Sequence, residues 1–333
     1  EFAYNKSYSK GFDYGSIKRL NAYEQGCLST LYICFSIETD EVDSDYLECF
    51  FDTLSWYHDV SAICAEGARN HGLLNVDVEA FFKDVNIEMP SQIQEQRKIS
   101  VFINTLDHLI TLHQRKCDEV KKVKKIMLQK MFPKKGEKNP EIRFNGFTND
   151  WEQRKLGEVA EYRNGKAHEN NISETGKYVV VNSKFVSTDG EVRKFSAEQI
   201  EPLYEGEIAF VLSDVPNGRA IARTFLVDES GKYTLNQRIA GITPNEHTDS
   251  YFLHILMNRN KYFLKFDDGN KQTNLSVNDV MQFEERYPSY REQTKIGAYF
   301  STLDHLITLH QRKCEELKNV KKYMLQNMFA KGE

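Results

Sequence analysis

Apolar side chains follow the same pattern in two separate stretches of the chain. Residues 95–132 and 292–329 align without gaps, and 27 of the 38 aligned positions are identical. Within each stretch the apolar positions recur at alternating steps of three and four, as they do in helices that pack along a heptad seam. Neither stretch contains Pro, and Gly occurs only at Gly297. We therefore predict two long helices that pair with each other as an antiparallel coiled coil.

The heptad pattern also assigns side chains to the seam between the two helices. Antiparallel pairing predicts that His113 faces Lys313 and that Lys116 faces His310, a polar layer that would fix register and orientation. In the alternative, these four side chains lie outside the seam and reach solvent or a partner protein. The predicted seam comprises Ile99, Phe102, Leu106, Leu109, His113, Val120, Val123, Met127, Ile296, Tyr299, Leu303, Leu306, His310, Leu317, Val320 and Met324.

The chain outside the helices has a different pattern. Residues 151–290 alternate short runs rich in Val, Ile and Phe with turns of Gly, Asp and Asn, and then continue into a helical stretch near residues 250–266. This pattern predicts an α+β domain with a curved, mainly β sheet and helices. The predicted organisation is the C-terminal part of a first such domain in residues 1–92, a helical repeat in 93–132, a linker in 133–150, a complete second domain in 151–290 and a second helical repeat in 291–333.

Composition narrows the class of protein without identifying it. No stretch approaches the ~18 consecutive apolar residues that span a bilayer. The first residues begin at Glu1 instead of Met and lack a basic-then-apolar signal pattern. We therefore expect a cytoplasmic protein that makes no membrane contact, and a sequence that is a fragment or a processed chain.

Cysteine usage favours a reducing compartment. The six cysteines include no Cys-x-x-Cys pair, which predicts reduced thiols that are buried as small apolar side chains. A zinc site that combines some of them with His58 or His71 is the less favoured alternative.

The net charge of −5 is unevenly distributed. Residues 1–94 hold 6 basic and 16 acidic residues and residues 151–290 hold 17 and 21, whereas residues 95–150 hold 13 and 7 and residues 291–333 hold 8 and 5. Positive charge is therefore concentrated in residues 95–150 and 291–333, and composition alone identifies no DNA-binding surface on the domains. The basic residues expected on the outer faces of the helices are Lys121, Lys122, Lys124, Lys125, Lys318, Lys321 and Lys322.

Two globular domains that alternate with two near-identical helical repeats resemble the specificity subunit of type I restriction-modification enzymes. The sharpest similarities are the Glu-Gln-x-Lys-Ile motifs at residues 95–99 and 292–296, and the segment from Pro140 through Trp151 that leads into the second domain. The resemblance implies two target-recognition domains that bind the halves of a bipartite DNA target in the major groove, while the helix pair holds them at a fixed spacing. It also implies that the opening of the first recognition domain lies upstream of Glu1.

The same resemblance implies a non-catalytic subunit that acts with partners. Those partners are double-stranded DNA, methyltransferase subunits and restriction subunits with translocase activity; S-adenosylmethionine, ATP and magnesium are expected on the partner subunits and no cofactor on this chain. The sequence has no Asn-Pro-Pro-Tyr-like tetrad and no Gly-x-x-x-x-Gly-Lys-Ser/Thr loop, and the string from Glu191 to Arg193 is interpreted as solvated surface. The alternative is a coiled-coil assembly or adaptor protein whose globular domains bind protein instead of DNA.

Candidate DNA-binding residues lie in the second domain. Base edges are read by Arg, Lys, Asn, Gln, Ser and Thr side chains, and this domain carries such residues on turns next to its predicted strands, with Lys184 and Arg219 as the strongest candidates. Because Asn, Asp and Gly also form turns, a purely structural role is the alternative for each tract. The candidates are Asn182, Ser183, Lys184, Arg193, Lys194, Asn217, Arg219, Asn236, Gln237, Arg238, Lys271 and Gln272.

Overall fold

The protein divides into two compact units that share the two long helices. A computed structural model describes residues 1–6, 14–21, 24–64, 76–168, 170–216 and 218–329. The first unit comprises the described residues within Glu1–Glu119 and Ile307–Glu333, and the second comprises those within Val120–Leu306. Each unit therefore contains one globular domain together with part of each helical repeat.

A three-stranded antiparallel sheet and three short helices form the globular part of the first unit. Its strand order is β2-β1-β3, and Tyr4 of β1 lies opposite Ile17 and Ile33. Alternate residues of a strand share one face, so Phe2 and Tyr4 both enter the core, where Tyr4 contacts Trp56. The elements are β1 (Phe2–Asn5), β2 (Ser16–Arg19), β3 (Tyr32–Phe35), α1 (Ser44–Phe50), α2 (Leu54–Ile63), α3 (Val78–Asp84) and the larger part of α4 (Ile93–Lys130).

The globular part of the second unit is larger and contains four small sheets. The elements that follow α4 are β4 (Glu152–Lys155), α5 (Leu156–Val159), β5 (Ala160–Asn164), β6 (Tyr178–Val181), α6 (Ser183–Ser187), β7 (Phe195–Ser196), β8 (Ile208–Val211), β9 (Ser213–Asp214), β10 (Thr224–Leu226), β11 (Tyr233–Leu235), β12 (Ile239–Pro244), α7 (Ser250–Met257), α8 (Lys261–Leu264), β13 (Thr273–Asn274), α9 (Val277–Met281), β14 (Glu284–Tyr287) and α10 (Tyr290–Asn327), which continues into the first unit.

Strand β8 lies at the centre of this domain and is buried on both faces. It belongs to the four-stranded antiparallel sheet β10-β8-β12-β5. Ile208 and Phe210 enter the hydrophobic cluster that contains α7 and α8, whereas Ala209 and Val211 enter a second cluster with the β11-β6-β7 sheet. A strand covered on both sides reads as a continuous apolar run, as β8 does. The predicted α+β fold is confirmed.

The two long helices run antiparallel, as predicted. In the first unit, the Cys117 thiol lies 3.9 Å from the Ile307 carbonyl oxygen, and the Cys314 thiol lies 3.3 Å from the carbonyl oxygen of Ile110. Residue numbers thus rise along one helix as they fall along the other. In the second unit, the ring of Phe132, just beyond α4, packs on Phe300 of α10.

Every second residue of the predicted seam lies in the observed seam. At the positions between them, the observed seam residue is the next one along the chain. Ile99 and Leu106 are buried as predicted, but Ile103 is 1% exposed and Phe102, the predicted seam residue, is 39% exposed. Adjacent apolar residues make the order of three-residue and four-residue steps ambiguous in sequence. The observed seam is Ile99, Ile103, Leu106, Ile110, His113, Cys117, Val120, Lys124 and Met127 on α4, and Ile296, Phe300, Leu303, Ile307, His310, Cys314, Leu317, Lys321 and Met324 on α10.

The same shift displaces the other predicted seam residues. Val123 and Val320 are exposed, and Leu109, Leu306 and Tyr299 are partly buried beside the seam. Two lysines expected on the outer faces occupy seam positions instead. In the second unit Lys124 pairs with Asp304, and in the first unit Lys321 pairs with Asp107 at 2.9 Å. The long aliphatic part of a lysine side chain fits such a position while its ammonium group reaches a carboxylate.

The polar layer in the first unit contains histidines without the predicted lysines. His113 Nδ1 and His310 Nδ1 are 3.0 Å apart, so equivalent residues of the two repeats meet each other. Lys116 and Lys313 point outward and bind Glu119 and Glu316 of their own helices. The predicted contacts of His113 with Lys313 and of Lys116 with His310 are therefore wrong, because the cysteines one residue later occupy the seam. For the two lysines, the alternative of a solvent-facing position is correct.

No helix in the described ranges is both long enough and apolar enough to cross a membrane.

Candidate DNA interface

The turns that carry the predicted DNA-binding residues meet at one edge of the second domain. The first residue of β12, Ile239, lies opposite the last residue of β8, Val211, while Ala240 lies opposite Asn164 at the end of β5. Strand β11 runs parallel to β6 and ends beside it, at Val181. We call this surface the loop edge; it comprises residues 164–166, 181–184, 193–194, 212–216, 218–219, 236–238 and 271–274. The predicted contact residue Asn217 lies outside the described residues.

Backbone hydrogen bonds join these turns to one another. The N–H of Asn236 donates to the Val181 carbonyl at 3.1 Å, and that of Leu212 donates to the Arg238 carbonyl at 3.0 Å. Gly165 allows a close approach here, because a Cβ atom at this position would lie 2.0 Å from the Asn236 carbonyl oxygen. The loop edge is thus a connected surface instead of a set of independent loops.

The tract at residues 271–274 joins the same surface. Strand β13 pairs with β9, and Gln272 Nε2 donates to Ser213 Oγ at 2.9 Å. On the other side, the N–H of Val180 donates to the Lys194 carbonyl at 2.9 Å, which places Arg193 and Lys194 beside the end of β6. The described members of the predicted DNA-binding set therefore lie together on one surface.

Asp214 shapes the turn that presents Arg219. Its carboxylate accepts hydrogen bonds from the N–H groups of Val215 at 2.9 Å, Ala220 at 2.5 Å and Ile221 at 3.0 Å. A Cβ at Gly218 would lie 2.2 Å from this carboxylate, so only glycine fits there. The Asp214 carboxylate thus stabilises the turn internally, and Arg219 on this turn is exposed.

Some predicted contact residues have structural partners in the protein itself. The Asn182 Oδ1 caps helix α6 by accepting from the N–H of Phe185 at 2.9 Å. Arg193 Nε donates to the Gly190 carbonyl at 2.8 Å. Arg238 adopts a left-handed backbone with φ of 67°, a conformation that costs energy for a residue with a Cβ and is concentrated at functional sites.

The loop edge exposes several basic side chains. Among the described residues, none of six exposed basic side chains on this surface forms an ion pair, unlike Lys166, which binds Glu201 at 2.9 Å. Unneutralised basic groups on one surface attract phosphates even when the net charge of the domain is negative. These six residues are Lys184, Arg193, Lys194, Arg219, Arg238 and Lys271.

A largely buried ion pair stabilises strand β5, whose last residue lies in the loop edge. Arg163 on β5 binds both carboxylate oxygens of Glu207 and donates to the Pro202 carbonyl at 2.7 Å. Burial alone would raise the pKa of Glu207, but hydrogen bonds from Arg163, the Tyr204 N–H and Thr243 outweigh it and hold that pKa below its usual value. Glu207 is therefore a carboxylate at neutral pH, and its pairing fixes the strand that precedes Lys166.

Arg259, which is absent from the predicted DNA-binding set, lies close to the same turns. Its N–H donates to the Ala222 carbonyl at 2.8 Å, and its guanidinium donates to the Ile221 carbonyl at 3.2 Å. Its φ of 55° is left-handed. The signal available in sequence was the Asn-Arg-Asn turn after the helical stretch, but its proximity to the 212–222 region depends on tertiary packing.

The described residues contain no cluster suited to a metal ion. No group of three or more His, Cys, Asp or Glu side chains in those residues converges on one point. His58 is exposed beside Asp59, and His71 lies outside the described residues. Burial raises the pKa of Cys49 to about 12, so its thiol stays protonated. Cys27 and Cys34 are exposed, contrary to the prediction that all six thiols are buried.

Two glutamines from the shared sequence motif join each domain to its helix. In the first unit, Gln96 accepts a hydrogen bond from the N–H of Asp43 at 2.8 Å and donates to the carbonyls of Pro90 at 2.8 Å and Glu41 at 3.0 Å. Asp43 in turn caps α1 by accepting from the Tyr46 N–H. Gln96 therefore connects the start of α4 to the start of α1 through hydrogen bonds.

The second unit repeats this arrangement. Gln293 accepts from the N–H of Asp249 at 3.0 Å and donates to the Pro288 carbonyl at 3.0 Å. Asp249 caps α7 by accepting from the Phe252 N–H. The motif was recognised in sequence as a family feature, but its role required the structure.

Comparison with known proteins identifies the family. Residues 148–319, more than half of the chain, match the family model described as type I restriction modification DNA specificity domain. The type I restriction enzyme MjaVIII specificity subunit of Methanocaldococcus jannaschii is 26% identical over 284 residues, which are 80% of this chain and 65% of that protein. The match thus spans less than two thirds of that relative.

Solved structures share the fold at low sequence identity. The S subunit of a type I restriction-modification system from M. genitalium has a TM-score of 0.62 at 17% identity, covering 88% of this chain and 74% of that one. A chain from a structure of type I restriction-modification complex assembly and conformational transition has a TM-score of 0.54 at 14% identity, covering 97% and 80%. On the strength of the match over residues 148–319, this chain belongs to the family of type I restriction-modification DNA specificity proteins.

Proposed function

We propose that this chain is the DNA sequence-specificity subunit of a type I restriction-modification complex, and that its loop edge reads one half of a bipartite target. The observation that carries the proposal is the group of six exposed basic side chains without ion pairs on connected, internally braced turns. Phosphate contacts by such groups position a protein on DNA, and contacts to base edges then supply specificity.

The loop edge has side chains of both kinds. Lys184 and Lys271 are exposed ammonium groups suited to phosphate contacts. Arg219 has the planar donors that bind the O6 and N7 acceptors of guanine together, and the exposed amide of Gln237 suits adenine. Turns braced by hydrogen bonds lose little conformational freedom on binding, which favours recognition.

The remaining functions are assigned to partners. We propose that the chain is non-catalytic, that it acts in the cytoplasm, and that methyltransferase subunits and ATP-dependent restriction subunits join it. S-adenosylmethionine, ATP and magnesium would be bound by those subunits. The paired helices would set the spacing between two half-sites, and their exposed lysines offer contacts for a methyltransferase subunit or for spacer phosphates.

Binding of DNA to the complex with methyltransferase subunits tests the proposal. Arg219→Ala is expected to weaken binding by about 1 to 3 kcal/mol at one base pair and to relax preference there, whereas Lys184→Ala is expected to weaken binding of all sequences equally and to reduce the salt slope by about 1. Arg154→Ala, at a partly exposed arginine outside the loop edge, serves as the control and should bind like the unmodified chain.

Two results would contradict the proposal. One is binding that lacks salt dependence and sequence preference in the complex, which would favour the adaptor alternative. The other is equal DNA affinity in the Arg219→Ala, Lys184→Ala and control variants, which would remove the loop edge from the interface.

A further inference from the structure

The linker that follows α4 docks on the start of α10 through an arginine and two aromatic rings. Arg143 Nε and a terminal guanidinium nitrogen donate to the two Glu292 carboxylate oxygens, each at 2.7 Å. Glu292 is only 1% exposed. Phe144 meets the ring of Tyr299 at a centroid distance of 6.1 Å, and Lys295 Nζ lies 5.1 Å from the centre of the Phe147 ring.

The receiving residues form one face of α10. Positions 292, 295 and 299 are spaced by three and four residues, which places them side by side on a helix. A bidentate arginine–carboxylate pair is among the stronger and more directional polar contacts in proteins. The second unit thus contains a built receptor for a segment of the form Arg-Phe-x-Gly-Phe.

The first helical repeat carries the same receptor without an occupant among the described residues. Glu95, Lys98 and Phe102 align with the three receiving positions of α10. All three are exposed, Phe102 by 39%, and neither an ion pair of Glu95 nor a ring contact of Phe102 occurs within the described ranges. We call these three residues the open face of α4.

The backbone frame around the open face matches that of the occupied one. Gln96 follows Glu95 and binds the capping residue of α1, just as Gln293 follows Glu292 and binds the capping residue of α7. The start of α4 is therefore anchored in the same manner as the start of α10. Phe102 is 39% exposed and lies on the same helix face as Glu95 and Lys98, since the three positions are spaced by three and four residues.

We propose that the open face of α4 binds a polypeptide segment of the Arg-Phe-x-Gly-Phe type. The segment's arginine pairs with Glu95, its first phenylalanine covers Phe102, and its second phenylalanine lies under Lys98. Residues 143–147 of the same chain are not the occupant, because Arg143 is engaged by Glu292. The proposal concerns a peptide contact and does not rest on DNA recognition.

A fluorescently labelled peptide with the sequence of residues 139–149, titrated into the full chain, tests this inference by anisotropy. We expect saturable binding that weakens about tenfold or more in Glu95→Gln, because a charge-assisted bidentate pair is lost. Phe102→Ser and a peptide with alanine in place of its arginine should weaken binding similarly. Glu79→Gln, another exposed carboxylate of the first unit, should leave the affinity unchanged.

Absence of peptide binding would overturn the inference, as would equal affinity in the Glu95→Gln and unmodified chains. Circular dichroism of each variant separates loss of the contact from loss of folding, which is not expected at exposed positions. Because no DNA is present, the result is separate from the test of the loop edge.

Discussion

Two buried glutamines hold the starts of the long helices against their domains. Gln96 and Gln293 are 1% and 4% exposed, and each satisfies three backbone groups around the start of a long helix. Leaving such groups buried without partners would cost about 1 to 3 kcal/mol each. The glutamines stood out in sequence because they recur, but their hydrogen-bond partners lie up to 55 residues away and were not predictable.

The roles of the candidate DNA-contacting residues also depend on tertiary contacts that the sequence does not reveal. Basic and amide residues on predicted turns were sufficient to select the tracts of the loop edge. Sequence alone could not show that Asn182 caps α6, or that Asp214 braces its turn by accepting three backbone hydrogen bonds. Turn formation and DNA contact use the same residue types, so only the observed partners separate the two roles.

His254 provides a test of pH dependence at the residue scale. Burial lowers the pKa of His254 to about 4, with a further lowering by Lys124, and no hydrogen-bond partner of its Nδ1 is found within the described residues. The unfolded chain takes up this proton near pH 6.5, before the folded chain does. Stability is therefore expected to decrease as the pH falls from about 6.5 towards 4, by about 2 kcal/mol at pH 5.

Native-state hydrogen exchange of α7, compared at pH 7 and pH 5, measures this effect. His254→Gln remains neutral at both values and should lose less stability on acidification than the unmodified chain. His305→Gln, at an exposed histidine of the same unit, should behave like the unmodified chain. Equal losses in His254→Gln and the unmodified chain would show that this histidine is not the source.

At the scale of elements, the sequence predicted the helices better than their contacts. Long apolar periodicity without Pro identified both helices, and matching repeats indicated antiparallel pairing. The predicted seam was shifted by one residue at alternate positions because Phe102 and Ile103 are both apolar, so the sequence allows either order of three-residue and four-residue steps. Tertiary packing decided between two patterns that sequence leaves nearly equivalent.

Alanine substitutions at adjacent residues test the observed seam. Ile103→Ala is expected to lower the stability of α4 by about 2 to 5 kcal/mol, because it opens a cavity in a fully buried position. Phe102→Ala should cost less than about 1 kcal/mol, although it removes the larger side chain, because Phe102 is exposed. Hydrogen exchange along residues 93–119 measures both, and a larger loss in Phe102→Ala would support the shifted seam predicted from sequence instead.

In the whole molecule, both copies of the helical repeat contribute residues to both compact units. Each unit takes the beginning of one long helix and the end of the other, and the apolar residues near both ends join the hydrophobic core of its domain. The equivalent phenylalanines Phe132 and Phe329 illustrate this: the first packs on Phe252 and the second on Tyr46. The predicted domain boundaries follow the order of the chain, whereas each compact unit combines segments from both ends of that order.

The proposed function gives the helix pair a measurable role. Seven residues at a rise of ~1.5 Å add about 10 Å to a helix, which equals roughly three base pairs at ~3.4 Å per step. Inserting one heptad at equivalent positions of α4 and α10 preserves the seam pattern in both helices. The sequences of both half-sites should not change, because the insertions leave both globular domains untouched.

The most direct test of the account is to map methylated DNA motifs in cells that contain this chain and its methyltransferase subunits, with and without the paired heptad insertions. We expect a bipartite motif whose two half-sites stay the same while the spacer between them lengthens by about three base pairs. A motif with an unchanged spacer, methylated as well as before, would contradict it.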